Sequence, residues 1–433
     1  FQAEDGIRDR SPSRGLGDVY KRQVLGSAPA PTPAISFVVR AEKAVGGIVL
    51  TASHNPAQFC GFKLKGHYGG SAPSETCQAV ESLLGASPVR SLALGQAKSK
   101  RHLKVKDLNA PHARAICRQV DFDLISKSGL RFAHDALFGV GAGAFEKILD
   151  GTTCQVTTLN AEHDPFFGGI HPEPIVHNYG PGAAYLKKNP HDICLVTDGD
   201  ADRVGGMDGR GNALTTHQII CLLLHHYSVN RGQSGRVIKA LTTTSMVDRM
   251  CEAYGLELLE TGVGFKYICT EMQKGDVLLG FEESGGIGFH GHIPERDGIL
   301  AGLALLELLA TEKTTVNRLL AKLEKRFGTH RYDRLDTHFP LEKRAELMKY
   351  CAEHPPAKLA GSPIAEIKTF DGVKYIAENG AWLMLRGSGT EPILRIYAEA
   401  GTDAKTKQLI KLGVQQTQKD KRLAKRARRR FPE

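Results

Sequence analysis

No stretch of the 433 residues stays apolar for the ~20 positions a bilayer-crossing helix needs, so the sequence offers no transmembrane segment. The longest apolar run, "ILAGLALLELLA" (299–310), carries Glu307 and reads as a buried helix. No apolar signal-peptide core is recognisable. The nine cysteines are scattered, none in a C-x-x-C pair, and their odd number argues against a disulfide framework. A reducing cytoplasm is the expected home. Internal repeats are lacking, and so is low complexity apart from the C-terminal end. What remains is a chain 41% hydrophobic and 7% aromatic, globular in composition and too long for a single core.

Charge is uneven. Residues 419–433, "KDKRLAKRARRRFPE", hold net +6 of the chain's formal +10. No aromatic or groove-reading motif accompanies them, so a solvated, frayed end is expected in preference to a nucleic-acid contact. The opening, "FQAEDGIRDRSPSRGLGDVYKRQ" (1–23), has neither helical nor strand periodicity and reads as a non-native leader, to be set aside from the fold.

From Val24 onward, short apolar runs alternate with helical patterns, as in layered α/β folds. Four strand candidates end in small, polar, glycine-containing loops: "GIVLT", "DICLVT", "DVLLGF" and "AWLML". Ligands of open α/β sheets bind beyond the carboxyl ends of strands, so four such loops imply four domains converging on a cleft. The breaks fall at "KVKDLNAP", near "MDGRGN", and after "TTVNRLLAKLEKRFG", a helix that Thr314 or Thr315 can cap and Gly328 can close. The expected domains are therefore 24–111, 112–212, 213–328 and 329–416, with a basic tail over 417–433.

Each loop carries chemistry. In "TDGDADRVGG", Asp198, Asp200 and Asp202 alternate at a strand mouth, and three converging carboxylates call for a hard divalent cation such as Mg2+. An EF-hand is excluded, because Arg203 and Gly209 stand where it needs Gly and Glu. In "TASHNPAQFCGFKLK", Pro56 keeps Asn55 extended and presents Ser53 beside His54, with Lys63 ten residues on. A phosphate on Ser53 would place about two negative charges where a cation and Arg203 can hold them, a phosphoryl-transfer arrangement. In "EESGGIG", Glu282, Glu283 and Ser284 on a glycine-rich turn suit the hydroxyls of a sugar. In "LRGSGTEP", Arg386, Ser388, Gly389 and Thr390 suit a phosphate. "GVGAGA" (139–144) resembles a dinucleotide turn but lacks a convincing acidic partner after a second strand. His290 and His292 alternate, yet without a third ligand they read as surface or substrate-shell residues, not as a zinc site. Trp382 reads as core.

Taken in this order, "TASHNP", "DGDADR", "EESGGIG" and "GSGTEP" resemble the α-D-phosphohexomutase superfamily, the phosphoglucomutase and phosphomannomutase enzymes, from about Val24 to Ala400. Thr32-Pro33, "GFKYI" (264–268) and "HIPERDGI" (292–299) match further segments of that family. The resemblance implies three α/β/α domains with mixed sheets and a C-terminal α+β domain around a central cleft. It implies a cytoplasmic hexose phosphomutase, acting on glucose phosphates with mannose phosphates as a second substrate, with Mg2+ as cofactor. A hexose 1,6-bisphosphate would be intermediate and activator. Ser53 would carry the phosphoryl group and share the metal with Asp198, Asp200 and Asp202. Arg203 would brace it, and Lys63 and His54 would act as acid and base. Glu282 and Ser284 would grip sugar hydroxyls; Arg386, Ser388, Gly389 and Thr390 would hold the second phosphate; Lys266, His292 and Arg296 would stand in the substrate shell.

Three departures qualify it. Cys60 stands where the family has Asn, Gly387 stands where it has Pro, and the family's opening segment is replaced by 1–23. The first domain is therefore expected to expose apolar surface, with low solubility or weak activity. Two other readings are an aspartyl phosphatase using Asp198 and Asp200, and a non-catalytic sugar-phosphate binder.

Overall fold

The computed structural model describes residues 22–88, 91, 93–99, 102–388 and 392–430, with side chains up to 417. Residues 1–21 and two of the residues expected to bind phosphate, Gly389 and Thr390, lie outside the described residues. The chain divides into two compact units. One runs through Ile238 and includes Gly264–Asn317; the other comprises Lys239–Val263 and the chain from Arg318 onward.

The first unit is α/β throughout. Its largest sheet has the order Gln155–Leu159, Arg131–Asp135, Ile193–Thr197, Val204–Asp208, Ala213–Leu214. The first three strands are parallel and the last two join antiparallel, a mixed sheet as expected. All five residues of Ile193–Thr197 are buried, which suits a central strand covered on both faces. Gly298–Glu312 is apolar on nearly all sides, and only its last two residues escape burial. Gly302 lets it lie against Phe145 and Leu195, which a Cβ there would meet at 2.5 and 3.0 Å.

Two further pairs complete the start of this unit: Gln23–Gly26 parallel to Leu103–Lys106, and Gly46–Leu50 antiparallel to Phe62–Gly66. Val24, Leu25, Ile48, Leu50, Phe62 and Val105 on these strands are exposed. Thr32-Pro33 opens the helix Thr32–Ala41, with proline in its first turn, where its missing N–H costs no hydrogen bond.

The second unit holds a six-stranded antiparallel sheet in the order Arg331–His338, Ile393–Ala400, Trp382–Gly387, Val373–Ala377, Ser362–Lys368, Lys358–Leu359. Strand alternation assigns its faces. Leu383, Leu385, Ile396 and Ala398 pack with Leu347, Cys351 and Leu409 of the helices Arg344–Glu353 and Asp403–Arg430. Trp382, Met384 and Tyr397 pack with Leu241 on the other face, so the tryptophan is core. The backbone of the basic segment continues the Asp403–Arg430 helix as far as Arg430, as its Lys, Arg, Ala and Leu favour.

One buried imidazole links this architecture to pH. His134, on Arg131–Asp135, is completely buried, 3.0 Å from Thr197 Oγ1 and edge-on to Phe145. Burial pushes its pKa down to about 3. The unfolded chain takes up this proton below about pH 6.5 and the folded chain does not, so stability falls as pH drops through that value. Between pH 7 and pH 5 the loss from this one group is about 2 kcal/mol. Denaturant melts at the two pH values check this: His134→Gln is expected to flatten the slope by that amount.

Candidate active site

Ser53 follows the strand Gly46–Leu50 in a loop whose backbone is bent into the left-handed region, φ 54°. Its N–H donates to Thr51 Oγ1 at 2.7 Å, and the Asn55 N–H donates to the Ala52 carbonyl at 2.9 Å. These short-range bonds hold the turn ahead of Pro56. A second loop, after Ile193–Thr197, meets it closely: a Cβ on Gly199 would stand 2.4 Å from the Ser53 carbonyl oxygen. That loop also turns through a left-handed residue, Ala201 at φ 54°.

The meeting brings hydroxyl and carboxylates together. Ser53 Oγ lies 3.2 Å from Asp200 Oδ1, 3.5 Å from Asp198 Oδ2 and 3.4 Å from His54 Nδ1. Asp198, Asp200 and Asp202 are buried, with one oxygen from each within 4.8 Å of the others. Thr32 Oγ1 donates to Asp200 Oδ2 at 2.7 Å, and the Thr32 N–H donates to the Asp200 carbonyl.

Three cations surround these carboxylates. Lys63, paired with Val49 across the two-stranded sheet, sends Nζ to Asp200 Oδ2 at 2.6 Å and to Asp202 Oδ2 at 3.0 Å. Arg296 bridges Asp202 Oδ2 at 2.5 Å and Glu282 Oε2 at 3.2 Å. Arg203 Nε is 3.9 Å from Asp198 and 3.8 Å from Asp202, while its Nη1 donates to Glu173 at 3.3 Å.

The protonation pattern follows from this packing. Burial and the two neighbouring carboxylates push Asp198 well above the usual carboxylate range. Burial acts the same way on Asp202, but Arg296, Lys63 and Arg203 outweigh it and hold that group well below the range. Lys63 is raised: Asp202 and Asp200 override the burial that opposes its charge. Burial, then Arg203, pushes His54 down to about 3, so its ring is neutral at neutral pH.

The residues fit a cation. Asp202 Oδ1 is buried without a hydrogen-bond partner, and the donor set is all oxygen, the preference of Mg2+. Beside it, the 282–288 loop is tied in by the backbone: the Val204 N–H donates to the Gly285 carbonyl at 3.0 Å, and Arg203 bridges to Gly286. Glu282 is buried, and Ser284 Oγ is buried with no hydrogen-bond partner of its own.

Ser53, His54, Lys63, the three aspartates, Arg203, Glu282, Ser284 and Arg296 thus lie in one unit, linked through the two loops and Arg296. Arg386 and Ser388 belong to the other unit, where Arg386 Nε is 3.0 Å from both Asp371 carboxylate oxygens. Lys266 Nζ reaches Ser74 Oγ at 3.0 Å, outside the carboxylate cluster. His292 turns inward, against Asp297. The "GVGAGA" glycines back the aspartate loop: a Cβ on Gly139 would stand 2.9 Å from the Asp198 carbonyl oxygen, so their smallness serves loop packing in place of a nucleotide. Sequence reading missed Thr32 as an Asp200 partner, and Lys65 and Glu295, a buried ion pair next to Arg296. Their one sequence signal was Lys65 two residues from Lys63, on the same strand face.

Comparison with known proteins gives this arrangement its family. Four models match in order: phosphoglucomutase/phosphomannomutase α/β/α domain I over 18–88, domain II over 110–211, domain III over 215–327, and the C-terminal domain over 341–412. A phosphoglucomutase/phosphomannomutase of Thermococcus kodakarensis is 29% identical over 387 residues, 89% of this chain and 81% of the relative. A phosphoglucosamine/phosphogalactosamine mutase of Sulfurisphaera tokodaii is 29% identical over 87% of this chain and 81% of its own. A crystal structure from Thermus thermophilus, named among the phosphomannomutases, is 34% identical with TM-score 0.79, covering 92% of this chain and 84% of that one. With all four domains matched in sequence, the chain belongs to the α-D-phosphohexomutase superfamily and is a four-domain intramolecular phosphotransferase of the phosphoglucomutase/phosphomannomutase type.

Proposed function

We propose that this hexose phosphomutase interconverts the 1- and 6-phosphates of glucose, and of mannose as a second substrate, by way of a phosphoryl group on Ser53. The observation that carries the reading is the Ser53 hydroxyl, 3.2 Å from Asp200 within a buried carboxylate triad framed by Lys63, Arg203 and Arg296. Mg2+ held by Asp198, Asp200, Asp202 and Ser53 would supply positive charge for the transferring phosphoryl group. The chain's own groups supply the rest. In the forward step the bond from phosphorus to Ser53 Oγ breaks as a bond to the sugar O6 forms, giving a 1,6-bisphosphate. Lys63, held protonated, gives its proton to the leaving Ser53 oxygen while His54, neutral and beside that oxygen, takes the proton of the attacking O6 hydroxyl; the return step reverses both transfers, Lys63 recovering its proton from Ser53 Oγ and His54 passing its proton to the leaving sugar O1. Reorientation of the bisphosphate lets its other phosphate return to Ser53.

Glu282 and Ser284 are proposed to hold sugar hydroxyls, and the orphaned Ser284 Oγ supports this, since a buried hydroxyl gains most from a partner the substrate supplies. Arg386, Ser388, Gly389 and Thr390 are proposed to hold the other phosphate. We assign the domains to 24–111, 112–212, 213–328 and 329–416. A cytoplasmic setting is part of the proposal; no helix among the described residues is long and apolar enough to cross a membrane.

"EESGGIG" places no bulky side chain on its turn, which suits relaxed selection at C2. Coupled assays on glucose 1-phosphate and mannose 1-phosphate test the substrate reading. Turnover of both, with kcat/KM within about a thousandfold, is expected. Activity confined to an amino-sugar phosphate would overturn it.

A further inference from the structure

A second group of ligand-type side chains lies apart from the aspartate triad. His112, on the helix Asn109–Cys117, and His292 both direct Nε2 at the same oxygen, Asp297 Oδ2, at 2.6 and 3.0 Å. All three residues are buried, and one donor atom from each lies within 4.8 Å of the others. The other carboxylate oxygen, Oδ1, accepts the Leu300 N–H at 3.0 Å and caps the helix Gly298–Glu312. That cap fixes the direction of Oδ2. The ring of Phe37 stacks on His292, at 6.3 Å and 17°, and lies 6.2 Å from His112, walling one side. On another side opens a cavity of about 350 Å³ lined by Phe37, Arg40, Arg118, Gln119 and His292.

From this convergence we infer that His112, His292 and Asp297 form a site for a borderline transition-metal cation of the Zn2+ class, separate from the hard-cation site of the three aspartates. Two imidazole nitrogens and one carboxylate oxygen are the donor set that zinc accepts and Mg2+ does not favour. Zinc–ligand bonds of about 2.0–2.1 Å put tetrahedral donors roughly 3.3 Å apart, so the three side chains need shift by less than about 1 Å.

The position matters for the rest of the chain. Arg296, which bridges Asp202 and Glu282, immediately precedes Asp297. A cation at the histidine site would pin the helix Asn109–Cys117 to this segment and fix the backbone from which Arg296 reaches its carboxylates.

The competing arrangement is a metal-free trio in which both imidazoles donate to one carboxylate oxygen. The purified full chain, stripped with chelator, is titrated with Zn2+ against a chromophoric competitor, alongside His112→Asn and Asp198→Asn. We expect one Zn2+ per chain at submicromolar affinity, unchanged in Asp198→Asn and weakened at least about a hundredfold in His112→Asn. Zinc-edge X-ray absorption on the unsubstituted chain, which needs no variant to fold, should show two imidazole ligands. Absence of micromolar zinc binding would overturn the proposal. So would zinc bound to oxygen alone, or an affinity that follows Asp198 in place of His112.

Discussion

Asp198→Asn and Asp202→Asn are expected to lose catalysis alike and to part company in the stability of the metal-free fold. Both carboxylates are fully buried in one loop, yet their surroundings act on them in opposite directions. Asp198 is the group that burial and its two acidic neighbours drive toward the protonated form. Its oxygens accept the Arg203 N–H at 3.0 Å and face Ser53, roles that an amide oxygen can fill. Asparagine there should change the stability of the chelator-treated chain by no more than about 1 kcal/mol. Asp202 is the anion shared by Arg296, Lys63 and Arg203. Its removal leaves buried cations short of a partner, a loss of about 3–5 kcal/mol. With Mg2+ and substrate present, each variant should lose at least about a thousandfold in kcat/KM, the several kcal/mol that charge neutralisation by a metal supplies. Chemical denaturation in chelator and steady-state assays in Mg2+ measure the two halves separately. Equal destabilisation by the two substitutions would contradict this reading of the triad.

Ser53→Gly is the second. Ser53 sits at φ 54°, a conformation that costs an ordinary residue about 1 kcal/mol and glycine almost nothing. Strain held at a functional loop is a recognised pattern, and here it places Oγ among the carboxylates. Glycine should leave the fold as stable as the unsubstituted chain or up to about 1 kcal/mol more so. Turnover should fall at least about ten-thousandfold, because the acceptor oxygen is gone, while hexose phosphate binding changes only severalfold. A drop in stability beyond about 1 kcal/mol would show that Oγ is structural; retained turnover would remove Ser53 from the chemistry.

Much of this was legible in the sequence because strand-end loops are local. "GIVLT", "DICLVT", "DVLLGF" and "AWLML" all became strands, and the loops after the first three meet in one unit. The alternation of Asp198, Asp200 and Asp202 was enough to foresee a convergence, since a tight turn gathers every second side chain. Partners drawn from distant sequence were not legible. Nothing near Asp297 announces His112, 185 positions away, and nothing near Asp200 announces Thr32. Arg296 was foreseen only as a substrate-shell residue; its bridge from Asp202 to Glu282 depends on how two loops dock. The helical backbone of the basic tail was missed because charge density suggested fraying, whereas Lys, Arg, Ala and Leu are all good helix formers.

Every step proposed for the cleft passes through Ser53 as the residue that carries the phosphoryl group. The most direct measurement is the intact mass of the chain after incubation with glucose 1,6-bisphosphate and Mg2+, followed by peptide mapping. One added phosphoryl group on Ser53, absent from Ser53→Gly, is the predicted result. Phosphate mapped to Asp198, the mark of an aspartyl phosphatase, would contradict it.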